Sequence, residues 1–356
     1  MHADTRVGLP SGTGTPTERP PGGAVDPDAW LGIVEREYLA DFVPAGGAVV
    51  KFVVPPTEPD REALREALRG AAERRGFAFA VVDAASTKLH MIDRLFHAVA
   101  RQIDWDGLIR SFLTGVLSQN ELRLPPSPSG LETAPSGPGA AWAAAPDELR
   151  LSVIAGLNDV PEPLLRTHVD RWIWDAVFRD YAMSQEFRYA LIHLCLDQLD
   201  PGIDPALGAA IREWLLGEIR LLSGLKRALI FQKIARHNAR HILFSLTHWL
   251  ERAGKKGLVL VLDISRYTVT RRPIEPDGTL YYSTAAVLDA YELLRQLIDA
   301  TDELEHCFVC AVAAPEFLSD ERRGMTSYHA LNLRIADEVR DRYRPNPLAA
   351  LARLTG

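Results

Sequence analysis

Long apolar runs are missing from this sequence. None reaches the roughly 18 residues that a membrane helix needs, so no span is expected. The first residues show no basic segment followed by an apolar one, so no signal peptide is expected. Cysteine is scarce, with three residues, Cys195, Cys307 and Cys310, in a chain of 356. A disulfide framework is therefore not expected, and a reducing cytoplasm is the simplest home. Cys307 and Cys310 form C-x-x-C, but on an expected strand, where positions three apart face opposite sides. With no second cysteine pair, no metal site is expected there. Positive charge is also short: 40 Lys and Arg stand against 47 Asp and Glu, a net charge of −7. That argues against a surface dedicated to coating nucleic acid, although a local basic patch stays open.

What is present is ordinary for a globular protein with a sizeable core: 47% hydrophobic and 24% charged residues. The length suggests about two domains. Residues 1–28 are rich in Pro, Gly and Thr and are expected to be a disordered tail. Residues 124–148 have a similar composition and are expected to be a flexible linker. Between them, residues 29–123 carry two short apolar β-rich runs, 48–54 and 77–84, among helical segments, as the first part of an α/β core. Residues 149–254 read as almost wholly helical and are expected to form an inserted helical subdomain. Residues 255–356 bring the third and fourth strands, 257–265 and 307–314, helices over about 283–301 and 326–342, and the end of the core. Strands alternating with helices predict a parallel sheet covered on both faces.

One local absence is informative. "GGAVVKFVVPPTEPDREALREAL", residues 46–68, reads as a strand, a short turn and a helix, which is the setting of a phosphate-binding loop. Yet no glycine lies between Val54 and Leu64. From about residue 30 onward, the chain resembles the P-loop ATPases of the BREX phage-exclusion systems, an AAA+-like group. The resemblance rests on phrases in order: "REYLADFVPAGGAVVKFVV", "ERRGFAFAVVDAAS", "ARHNARHILFSL", "GLVLVLDIS", "AYELLRQLIDATDELEHCFVCAVAAPEFLSDERRG" and "YHALNLRIADEVRDRYRPNPLAALARL". It implies an α/β, P-loop NTPase-like core of parallel strands with a large helical insertion.

The resemblance also implies where a nucleotide would be held, and there the sequence departs from the pattern. The family carries G-x-x-x-x-G-K-[ST] after "KFVV", in which glycine amides curl around phosphate, lysine reaches the β/γ oxygens and Ser/Thr holds Mg²⁺. Pro55 and Asp60 stand at the two glycines, Arg61 at the lysine and Glu62 at the hydroxyl. Prolines 55, 56 and 59 remove three N–H donors. Glu58, Asp60 and Glu62 add negative charge where a triphosphate would sit, at roughly 4 kcal/mol per like-charge contact near a surface before screening. The family's third strand ends in Asp-Glu, for Mg²⁺ and for the attacking water; this one ends in Asp263 and Ile264. The resemblance thus implies a pseudo-ATPase that lacks catalytic residues and needs no cofactor. It would be a structural or regulatory subunit beside an ATPase, helicase or nuclease of the same defence system, with DNA reached through the complex. The alternatives are an active noncanonical ATPase using Arg61, Asp263, ATP and Mg²⁺, and a non-catalytic DNA-binding adaptor.

Several residues admit two readings. Asp263 is a metal ligand or a cap on the next loop. Arg61 contacts an anion at the helix N-terminus or pairs with Glu58, Glu62 or Glu66. His237 and His241 have metal spacing on an expected helix but no third ligand, and a polar helix face is the plainer reading. The basic run 226–241, with Lys226, Arg227, Lys233 and Arg240, is a partner or nucleic-acid surface, or a solvated helical stripe. Arg322 and Arg323 are expected to make interface salt bridges, and 342–348 is expected to close the fold. The partner surface is expected on 149–253, whose aromatics Trp172, Trp174, Phe178 and Phe187 either meet the partner or fill the core.

Overall fold

The computed structural model describes residues 23–125, 149–271, 278–336 and 346–356. The expectations for most of the tail (1–22), for nearly all of the linker (126–148), for 337–342 of the last expected helix and for 342–345 of the closing segment lie outside these residues.

Five parallel strands form one sheet: β1 (Ala48–Val54), β2 (Ala78–Asp83), β3 (Leu258–Asp263), β4 (Cys307–Val312) and β5 (Leu351–Arg353), in the order β2-β3-β4-β1-β5. The sheet is covered on both faces, so β3 and β4 are buried at every position and read as continuous apolar runs. Strand alternation places Phe308, Cys310 and Val312 on one face and Cys307, Val309 and Ala311 on the other. The two cysteines therefore point to opposite sides, and burial pushes both thiols up to about 12.

One face is covered by α1 (Pro27–Val34), a π-helix (Glu35–Phe42) and α2 (Glu58–Arg75). The helix thus widens at the end of α1, as the Val43 N–H to Tyr38 carbonyl bond of 2.9 Å shows. Part of the expected tail is ordered: Val25 pairs with Leu354 beyond β5, and α1 begins at Pro27. Thr57 caps α2 with its side chain, Pro59 sits in the first turn where no donor is lost, and Gly76 closes the helix at φ +76°. Leu64, Leu68, Ala71 and Ala72 form its buried stripe. Each leucine contributes about 2 kcal/mol.

The other face carries α3 (Ile92–Ala100), α4 (Trp105–Gln119), α5 (Leu151–Asn158), α6 (Glu162–Phe178), α7 (Gln185–Leu199), α8 (Pro205–Leu216), α9 (Ala239–Arg252), α10 (Thr284–Asp299), α11 (Glu316–Ser319) and α12 (His329–Ile335). The helical block does not keep a core to itself. Phe187, Trp214 and Trp249 belong to the same apolar cluster as Val50, Phe52 and Leu260 of the sheet. Of the aromatics expected either to meet a partner or to fill the core, Phe187 is fully buried, and Trp172, Trp174 and Phe178 pack against that cluster.

Two segments depart from the sequence reading. The basic run 226–241 is not one helix: a 3-10 turn over Leu222–Ala228 ends at Leu229 with φ +56°, and α9 starts only at Ala239. Asn238 competes with helix formation through its side chain, which accepts from Ala235 N–H (2.8 Å) and donates to the Lys233 carbonyl (3.1 Å). The second is β5, a strand the sequence reading lacks. It is only three residues long. Lys51 on β1, 5% exposed, fixes the approach to it by donating to the carbonyls of Leu348 (2.6 Å) and Ala349 (3.2 Å). Burial lowers this ammonium to about 8.

Candidate functional site

From β1 the chain turns to α2 on one face, and from β4, the neighbour of β1, it turns to α11 on the other. Such a reversal opens a crevice outside the carboxyl ends of the strands, where ligands of open α/β sheets bind. The loop after β1 forms one wall, and the end of β3 lies one strand further along the same edge.

That wall is poor in backbone donors. The loop is three residues long, Pro55, Pro56 and Thr57, and α2 already starts at Glu58. Pro55 is buried, and Pro55 and Pro56 offer no N–H. The amide of Asp60 is taken by the Thr57 hydroxyl (3.4 Å), which in turn donates to the Asp60 carboxylate (2.5 Å). The Arg61 amide bonds the Thr57 carbonyl at 3.1 Å. Prolines 55, 56 and 59 supply no amide, and those of Asp60 and Arg61 are committed to capping, so few are left to turn toward an anion.

Arg61 does not form its expected pair with Glu58, Glu62 or Glu66. Glu62 pairs with Arg65 at 3.0 Å, and Glu66 pairs with Arg69 at 3.3 Å. The cation of the site is Arg65, one helical turn after Arg61. Its guanidinium lies against the Asp263 carboxylate and within 3.5 Å of Asp83. Asp83 and Asp263 are register partners at the ends of β2 and β3, so the strands themselves bring both carboxylates to one edge. Asp263 is fully buried, and a buried charge is costly unless paired. Arg65 engages Oδ2, while Oδ1 accepts from the Ser265 amide (2.8 Å) and hydroxyl (2.5 Å). Asp263 therefore caps the following turn and answers an internal arginine. Ile264 is 2% exposed and packs in the core, with nothing to polarise a water.

An ATP·Mg²⁺ group, as the active alternative would require, does not fit these residues. Mg²⁺ needs an octahedral shell of oxygens, and the oxygen that would supply it on Asp263 faces a guanidinium. Among the described residues no group of three or more His, Cys, Asp or Glu side chains could hold a metal ion. His237 lies before α9 and contacts Gln232 Oε1 at 3.0 Å, so the two histidines do not share a helix face.

The remaining candidates are dispersed. Arg323 is 6% exposed and bonds the carbonyls of Tyr267 (3.3 Å) and Tyr282 (3.0 Å) and the Tyr281 hydroxyl (3.1 Å), whereas Arg322 is exposed. Arg227 pairs with Asp204 at 3.0 Å, and Lys233 donates to the carbonyls of Ile219 (2.8 Å) and Arg220 (3.3 Å). Arg240 lies 3.9 Å from Glu303 and over the Phe244 ring. Lys226 is exposed. The sequence reading missed Arg65, Asp83 and Lys51. Arg65 had a signal: it directly follows Leu64 on the buried stripe of α2, so its stem is carried over the sheet edge.

The all-parallel sheet with a crevice at its carboxyl edge is consistent with an α/β nucleotide-binding fold. The family profile of the BREX system ATP-binding protein BrxC/D matches residues 169–356, just over half of the chain, and the protein belongs to that family. No curated protein and no solved structure matches the chain. Among the described residues no helix is long and apolar enough to cross a membrane.

Proposed function

We propose that this protein serves a phage-defence system as a non-hydrolysing member of its ATP-binding family, a structural or regulatory subunit. One observation carries the reading: Arg65 occupies the face of Asp263 that a nucleotide-bound metal would need. The ion pair gives the α2–β3 junction a fixed structure without a ligand, and the proline-rich turn leaves few amides for a triphosphate. The protein then acts through a partner from the same system, an ATPase, helicase or nuclease, that supplies the chemistry. Arg322 and the exposed side of Lys226, Arg227, Lys233 and Arg240 are the cationic surfaces for that contact.

Calorimetric titration with ATP, with and without Mg²⁺, tests it. The expected dissociation constant is weaker than about 1 mM, or under about 4 kcal/mol of binding free energy. Micromolar binding, or phosphate release that disappears in Asp263→Asn, overturns the reading. For the contact surface, a pull-down compares wild type with Lys226→Glu/Arg227→Glu/Lys233→Glu/Arg240→Glu. Unchanged partner recovery by a folded variant removes that surface.

A further inference from the structure

The helical block holds a partly open cavity of about 340 Å³ between α6, α7 and α8. This is the size of a small ligand pocket. Its walls are aliphatic, with Val169, Leu196 and Leu207 on three helices, and Ile203 at the mouth is 65% exposed. Its polar groups are mostly acidic: four carboxylates line it, Asp170, Asp197, Asp200 and Asp204, against two guanidiniums, Arg166 and Arg227.

The guanidiniums are already engaged. Arg166 bonds Asp200 at 2.6 Å, and Arg227, largely exposed, bonds Asp204 at 3.0 Å. Asp197 is held by Arg212 at 2.6 Å. Asp170 and His193 form no hydrogen bond and no close ion pair among the described residues; Arg166 acts on Asp170, and Asp204 on His193, only through space. Both are partly buried. Burial pushes the Asp170 carboxyl above its ordinary range and the His193 imidazole below its own, the direction expected of polar groups short of partners. An anionic ligand would meet two guanidiniums already in ion pairs, and a neutral apolar one would give the Asp170 carboxylate no hydrogen bond. A cation with an aliphatic stem answers both the wall and the carboxylate.

We propose that this cavity binds an alkylammonium, its head on Asp170 and its chain along Val169, Leu196 and Ile203. The same chemistry comes from a free linear diamine or from a lysine side chain of a partner protein. The test is calorimetric titration of the full chain with 1,5-diaminopentane, with N-acetyl-lysine methylamide, and with hexanoate as an anion of similar length. Saturable binding of either cation with a dissociation constant of about 1 mM or tighter is expected, and none of hexanoate. Binding of the lysine derivative alone assigns a partner's side chain, binding of the diamine alone assigns a metabolite, and binding of both establishes the shared chemistry.

Asp170→Asn, which keeps the shape, is expected to weaken binding about tenfold or more. Asp175→Asn on the same helix, where the carboxylate is exposed and pairs with Arg179 at 3.5 Å, should leave it unchanged. Ile203→Trp narrows the mouth without touching charge and is expected to weaken binding too, so the proposal does not depend on one variant folding. Failure of both cations to bind, equal uptake of hexanoate, or full affinity in Asp170→Asn overturns it.

Discussion

Removal of the Arg65 guanidinium is the most direct perturbation of the sheet edge. Arg65→Ala leaves the fully buried Asp263 with its Ser265 bonds but no counter-ion, since the nearest described cation to it is Arg65 itself. Deleting one partner of a buried ion pair costs about 3–5 kcal/mol, because the other charge stays desolvated. The Arg65 side chain is 18% exposed, and Asp83 beside it is 34% exposed. Water can therefore reach part of the vacated space, and the lower end, about 3 kcal/mol, is the expected loss. For a chain of this length that corresponds to a melting temperature lower by roughly 4 °C. Asp263→Asn alone should also destabilise, by stranding Arg65 against a neutral amide. The double variant Arg65→Ala/Asp263→Asn should recover most of the loss, with a coupling of about 2 kcal/mol. Differential scanning calorimetry and urea unfolding of the four proteins measure the cycle. Additive losses, or an Arg65→Ala protein that melts with wild type, would refute the claim that this pair holds the edge together.

His248 on α9 links Asp180 and Glu305, each at 3.0 Å from a different ring nitrogen, and Asp180 first, then Glu305, holds its imidazolium above the ordinary histidine range. Its folded pKa is raised, so its contribution is fully present below about pH 6.5 and is lost as pH rises through the folded value. His248→Gln is expected to cost about 1–2 kcal/mol at pH 6 and much less at pH 9; a pH-independent difference in urea unfolding would contradict this. Gly217 ends α8 at φ +75°, and a Cβ there would stand 2.6 Å from the His97 ring. Gly217→Ala is therefore expected to cost about 2 kcal/mol. Gly115→Ala in α4, where a Cβ meets nothing within 4 Å, should gain about 0.5–1 kcal/mol by the same unfolding assay.

The core strands and α2 were legible because their signals are local. An apolar β-rich run such as 258–263 can hide only inside a covered sheet, and Thr57, Pro59 and Gly76 delimit α2 by backbone chemistry that acts within a few residues. The sparse donors of the 55–60 turn were legible for the same reason, since proline lacks an N–H wherever it is placed. β5 was not, because three residues carry no usable period and its strand form depends on pairing with β1 and on Lys51 holding the loop before it. The 226–241 run has helical composition, yet Asn238 and Leu229 break it, and its shape follows tertiary bonds such as Trp214 Nε1 to the Gln232 carbonyl at 2.9 Å.

The candidate site divides in the same way. Sequence alone determined that the turn after β1 is poor in N–H donors, because Pro55, Pro56 and Pro59 lack one wherever they are placed. It did not determine which arginine answers Asp263. Arg61 and Arg65 are chemically identical and one turn apart on α2. Only the packing of Leu64 and Leu68 against the sheet sets the rotation of the helix, leaving Arg61 without an ion pair among the described residues and carrying Arg65 to the ends of β2 and β3. Likewise, "RR" at 322–323 reads as one cationic pair, but the chain's turn places Arg323 inward among Tyr267, Tyr281 and Tyr282 and Arg322 outward. Charge and donor count are properties of residues; which charge meets which is a property of distance, and distances between elements exist only once the helices have packed.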